Sequence, residues 1–205
     1  LTQKEKWPPT GQQILAQYDD DFVVVYQAYR PAIGNFAASY GYFGGEFSLN
    51  RMSWIKPNFL WMMYRSGWGT KPGQEVILAI WLQRSAFNEI LSLAVPSQFV
   101  PELYSTRKEW QQAVKRSSVR LQWDPDHTPR GGRCARRAIQ LGLRGEILAK
   151  YSQDWLVNIE DISEFVREQY RYVQDRDWNH LLTPSESVYP VIEAEIRRNL
   201  QISAH

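Results

Sequence analysis

The chain has 205 residues, 43% of them hydrophobic and 22% charged, which suits one globular domain with a substantial core and excludes collagen, a coiled-coil rod and wholesale disorder. Nine Trp, eleven Tyr and eight Phe make an unusual aromatic load, fit either to fill a core or to line a binding surface. Formal net charge is only +2, yet residues 107–144 hold ten Lys or Arg against three acids, so the basic charge is concentrated and points to an anionic partner or to a solvated face.

No repeat or linker divides the sequence, and the expectation is a polar arm over residues 1–18 followed by a single α+β domain over 19–205. Residues 22–26 are β-branched and aromatic and predict a buried strand continuing towards Tyr29. Pro31 suits the first position of a helix through Ile33, Phe36 and Ala37, and Gly41, Gly44 and Gly45 then open a loop. Pro57 begins a second helix carrying Phe59, Leu60, Met63 and Tyr64, which Gly67 and Gly69 stop. Residues 75–83 are almost continuously apolar, the mark of a strand covered on both faces.

Helices follow over 85–93 and 106–116, then a strand over 119–123. Asp124-Pro125-Asp126 and Gly131-Gly132 bracket an expected flexible ligand loop. Residues 136–143 fit a strand better than a helix, 145–151 a short helix or turn, and 156–159 a strand. Asp161 with Glu164, and Thr183-Pro184-Ser185-Glu186, resemble capping boxes and predict helices over 162–174 and 185–200, the latter with Val191, Ile192 and Ile196 inward. Trp81 and Trp155 are assigned to the core.

P-loop, zinc-peptidase and nucleophile-elbow motifs are missing from the sequence, and no metal site is expected. His127, His180 and His205 are scattered and read as surface residues. The single cysteine, Cys134, forms no internal disulfide, and with no leader pattern and no apolar run near the ~18 residues of a membrane span, the expectation is a cytoplasmic protein.

Three segments carry candidate chemistry. Residues 51–69 combine Trp54, Trp61 and Trp68 with Arg51, Lys56, Tyr64 and Arg65, planar rings beside cations as a phosphate-bearing aromatic ligand requires. A core helix with surface arginines is the plainer reading of the same pattern. Tyr26-Gln27-Ala28-Tyr29-Arg30-Pro31 ends an apolar strand with polar groups that need solvent or a cleft. In residues 133–146, Gln140 shares a strand face with the small Ala138 and Gly142, leaving room for a ligand flanked by Arg137 and Arg144. As an ordinary basic edge strand, which is the plainer reading, that segment needs no function.

Tyr26-Gln27-Ala28-Tyr29-Arg30-Pro31, Trp54-Ile55-Lys56-Pro57, Trp61-Met62-Met63-Tyr64-Arg65-Ser66-Gly67-Trp68 and Arg137-Ala138-Ile139-Gln140-Leu141-Gly142-Leu143-Arg144-Gly145 resemble the strings of a family catalogued as a domain of unknown function. More distantly, the order of features is similar to the ADP-ribosyltransferase fold of DNA-modifying toxins. That resemblance implies two small sheets flanked by helices, with NAD as substrate in the cleft between them. It implies catalytic roles for Gln27, Gln140 and Glu146, and cofactor contacts from Tyr26, Arg30, Arg51, Trp54, Lys56, Trp61, Tyr64 and Arg65. Gln140 stands where such enzymes carry a glutamate, so either the substrate supplies the base, Glu146 or Glu75 takes the role, or the fold binds without transfer.

The expectation is therefore an ADP-ribosyltransferase-like protein that binds NAD and modifies a nucleic acid, engaged by Arg130, Arg133, Arg136, Arg137 and Arg144. The alternative is a non-catalytic RNA or single-strand-binding module using the same basic residues.

Overall fold

The computed structural model describes residues 6–204. Residues 1–5 of the expected arm, and His205, lie outside the described residues. From Gly11 the arm is knitted into the domain: Gly11–Gln12 (β1) and Leu15–Ala16 (β2) are strands, and Ile14, Leu15 and Ala16 are buried.

Phe22–Tyr29 (β3) leads directly into Pro31–Tyr40 (α1), where Pro31 occupies the first turn without needing a backbone N–H. Ser53–Ile55 (β4) precedes Phe59–Ser66 (α2), which starts two residues after Pro57 because Asn58 caps it, accepting from Trp61 N at 2.7 Å. Gly67, at φ 59, ends the helix in the left-handed region. Val76–Gln83 (β5), Arg84–Ser92 (α3) and Ala94–Pro96 (β6) follow, then Arg107–Arg116 (α4), capped by the Thr106 hydroxyl.

Val119–His127 (β7) and Arg133–Leu143 (β8) form a long antiparallel hairpin. The expected loop after Trp123 is thus mostly strand: ladder pairing with β8 carries β7 through Asp124-Pro125-Asp126 with a register shift, and only residues 128–132 turn. Gly145–Gln153 (α5), Leu156–Asp161 (β9) and Ser163–Asp175 (α6) agree with their patterns. The last expected helix does not form over 185–200. Ser187–Val188 is a strand (β10) and only Ala194–Leu200 (α7) is helical, because Pro190 cannot sit inside a helix and Glu186 is used elsewhere. Ile192, expected inward, is 74% exposed.

Among the described residues these elements make seven helices and three sheets. The largest sheet runs β1-β8-β7-β6, with β4 also paired to β8. A second sheet, β3-β5-β9, is wholly antiparallel, and β10 pairs with β2. One core lies where Val23, Val25, Leu78 and Ile80 face Leu121, Ile139 and Leu141, closed by α3 and α5. The opposite face of β3 and β5 packs Val24, Tyr26, Ile77 and Ala79 against α2 and α6, which accounts for the unbroken apolar run in β5. Trp81 and Trp155 are only partly buried, at the margins of these clusters. No helix among the described residues is long and apolar enough to cross a membrane.

Candidate functional site

The two main sheets meet through a backbone bridge. Tyr26 N donates to Lys56 O at 2.7 Å and Lys56 N donates to Tyr26 O at 3.3 Å, tying the middle of β3 to the residue after β4. Beside this junction, where β3 ends, opens a cleft of about 920 Å³. Its walls hold Gln27 and Arg30 from β3 and its end, Arg51, Trp54 and Lys56 from the β4 segment, Arg65 from α2, and Gln140 from β8. Three segments far apart in sequence therefore share one cavity.

Gln27 is 3% exposed and its amide is fully engaged: Nε2 donates to Tyr29 Oη (2.9 Å) and Trp54 O (3.2 Å), and Oε1 accepts from Tyr151 Oη (2.7 Å). The Tyr29 phenol in turn donates to Ser53 Oγ at 3.3 Å. Burial pushes the Tyr29 phenol up to about 12, against the opposing pull of hydrogen bonds from Ser53 and Gln27 and of the Arg51 charge, so it stays a neutral donor. Gln27 thus orients this wall of the cleft.

The floor comes from one face of β7 and β8. Gln122 and Gln140 are cross-strand partners. Both donate to the Asp124 carboxylate, Gln140 Nε2 at 2.8 Å and Gln122 Nε2 at 3.0 Å and 3.2 Å, which leaves their carbonyl oxygens free of it. The space expected above Ala138 and Gly142 is filled. A Cβ at Gly142 would lie 2.5 Å from Met52 Sδ and 3.0 Å from Trp54 Cη2, so glycine there admits the protein's own side chains rather than a ligand.

Lys56 is the unusual group. It directly follows Ile55, the last β4 residue paired with β8, and its backbone bridges to Tyr26. The residue is 6% exposed and lines the cleft. Its ammonium makes no hydrogen bond or ion pair among the described residues. Burial, and after it the Arg65 charge, bring the amine down from 10.5 to about 8 despite the opposing pull of Asp124.

Other expected site residues are elsewhere. Tyr26 is 1% exposed, its ring edge-on to Phe59 in the core. Trp61 and Trp68 are buried at 6% each: Trp61 stacks near Tyr64 and His127, and Trp68 on Tyr170. Of the three clustered tryptophans only Trp54 reaches the cleft, because α2 carries Trp61 towards the hairpin and the turn after it sets Trp68 against α6. Tyr64 is 41% exposed and lies flat on His127, with ring centroids 3.5 Å apart. His127, expected at the surface, is 2% exposed, and burial lowers its pKa. Glu146 is exposed on α5, 3.3 Å from Lys150, and does not line the cleft. Glu75 is likewise turned away, accepting from Gly73 N at 2.9 Å.

The basic segment divides. Arg136 forms a buried ion pair with Asp126 at 2.5 Å and lies over the Trp7 ring. Arg144 donates to Ser117 O, Val114 O and Lys115 O and so closes the C-terminal end of α4. Neither offers its charge to a partner. Arg130, Arg133 and Arg137 remain exposed on the hairpin, and Arg30 pairs with Glu46 at the cleft rim.

Sequence reasoning missed Gln122 and Asp124, whose i, i+2 spacing would have placed them on one face had the strand been carried past Trp123. It also missed Glu186. That buried carboxylate accepts from Phe59 N at 2.7 Å and Asn58 Nδ2 at 3.2 Å, capping α2 from 127 positions away.

The fold and site define a mixed α/β domain with an amide- and guanidinium-lined cleft at the junction of two sheets. Residues 13–189 match the family described as Domain of unknown function (DUF4291), and the chain belongs to that family. Among curated proteins none matches the chain. No group of three or more His, Cys, Asp or Glu placed to hold a metal occurs among the described residues.

Proposed function

We propose that the cleft binds NAD and that the protein transfers ADP-ribose from it to a nucleic acid. The observation that carries this reading is the convergence of Gln27, Arg51, Lys56, Arg65 and Gln140 on one cavity whose volume falls within the roughly 300–1,000 Å³ of ligand sites. Lys56 lines the cleft with no ion-pair partner, a positive charge that a pyrophosphate would satisfy, and Arg51 and Arg65 stand exposed at the rim to bind it bidentately. Trp54 offers a ring face, and the carbonyl oxygens of Gln122 and Gln140 suit ribose hydroxyls.

NAD bound there would supply the ADP-ribosyl group, with nicotinamide as the leaving group. Asp124, bonded to the amides of the two glutamines that line the cleft, takes the role of the negative charge that the sequence left between Gln140 and Glu146. Arg130, Arg133 and Arg137 are the cations available to an acceptor strand.

Incubation with NAD and single-stranded DNA or RNA tests the proposal. It predicts released nicotinamide matched by an equal gain of ADP-ribose on the oligonucleotide, measured by mass. Salt-dependent binding of the oligonucleotide with no product would replace transfer by the non-catalytic binding module.

A further inference from the structure

We infer that Lys56 is a nucleophilic amine that condenses with the aldehyde of a phosphorylated sugar held in the cleft. Lys56, Gln122 and Gln140 all line the cleft, and Asp124 is bonded to both glutamines. The cations this protein uses as braces are saturated: Arg136 by Asp126, Arg144 by three carbonyls. Lys56 is buried to the same degree as Arg136 and braces nothing, yet it lines the cleft. A desolvated lysine beside another cation is the usual way an amine is made nucleophilic.

The charged groups acting on it are Arg65 from α2 and Asp124 from β7, while β8 lines the same cleft with the neutral amide of Gln140. The first favours the free amine, and burial adds to it, bringing the group to about 8.

The lining selects the substrate class. Guanidinium groups of Arg51 and Arg65 suit a phosphate, and three glutamines (Gln74, Gln122 and Gln140) suit a polyhydroxylated chain. The step balances without oxidant or reductant. The Nζ lone pair attacks the carbonyl carbon, a C–N bond forms, and the C=O π pair moves to oxygen, which is protonated. The two protons that nitrogen loses pass through solvent in the cleft to that oxygen as the C–O bond breaks, so amine and aldehyde become imine and water. This inference rests on reading the cleft as a site for a phosphate-bearing sugar ligand, and it does not need turnover of NAD.

The test uses the full chain with ribose 5-phosphate and cyanoborohydride, followed by peptide mass mapping. Lys56 should gain the mass of the sugar phosphate less one oxygen, at least about tenfold ahead of the exposed Lys71, Lys108 and Lys115, an advantage worth one good charge-assisted contact. Labelling should rise through pH about 8, vanish in Lys56→Gln, and fall when ribose replaces ribose 5-phosphate. Labelling spread evenly over the lysines, or absent from Lys56 in the wild-type chain, overturns the inference. Equal labelling by ribose overturns the phosphorylated-sugar assignment. Nicotinamide release is measured separately: an adduct without it removes only the transferase reading, and release without an adduct removes only this one.

Discussion

Replacing Lys56 by Met should make the protein more stable, and the size of the gain follows from its surroundings. Burial and Arg65 take the amine from 10.5 to about 8, so at about 1.36 kcal/mol per pH decade a protonated Lys56 costs the folded state about 3 kcal/mol relative to the unfolded chain. Met has similar volume and no charge, so Lys56→Met relieves that cost. At pH 7 the lysine is charged in both states and the cost is complete. Between about 8 and 10.5 the folded protein releases its proton while the unfolded chain keeps it, so wild-type stability climbs and the advantage of Met shrinks away. The lowered folded pKa fixes this sign. Urea unfolding of both proteins from pH 7 to pH 10 reads the difference directly, and at pH 7 the melting temperature should rise by about 6–12 °C, from about 2–4 °C per kcal/mol for a chain this long. A less stable variant at pH 7, or a difference that ignores pH, would refute the view that Lys56 is held at the expense of stability.

Arg65→Ala should weaken nucleotide binding, read by calorimetric titration, while leaving the melting temperature nearly unchanged, because Arg65 is exposed at the cleft rim. Arg136→Met strands the Asp126 carboxylate, which is 1% exposed, and should cost about 3–5 kcal/mol in denaturant unfolding; Arg133→Met on the same strand should cost almost nothing. Glu186→Ala leaves Phe59 N and Asn58 Nδ2 without their acceptor and should destabilise by about 2–4 kcal/mol, with amide exchange accelerating first at the start of α2. Gly34→Ala puts a Cβ 2.5 Å from the Val76 side chain and should cost about 1–3 kcal/mol by thermal melting, through displacement of α1 from β5.

Local chemistry made much of this fold legible. Unbroken hydrophobicity revealed β5, Pro31 opened α1, and the cations and glutamines at strand ends led to the cleft. The failures share a cause in long-range pairing. Asp124-Pro125-Asp126 has every local mark of a turn, yet pairing with β8 holds it extended, and that extension sets Asp124 against the amides of Gln122 and Gln140 at the cleft floor. Glu186 sits in a convincing capping box but caps a different helix, which no pattern within a few residues can reveal. Trp61 and Trp68 share a segment with Arg51 and Arg65, but α2 and the left-handed turn after it send their rings into packing and leave Trp54 alone at the site. The basic cluster over 107–144 was visible as charge; its division between braces and exposed cations depended on where the carbonyls of α4 and the Asp126 carboxylate came to lie.

A crystal structure of the protein soaked with NAD tests the central claim most directly. The account predicts density running from Trp54 past Lys56, with phosphate oxygens within hydrogen-bonding distance of its Nζ and of Arg51 or Arg65. Density confined to the smaller, roughly 390 Å³ cleft beside Arg137, or none at Lys56 under saturating ligand, would contradict it.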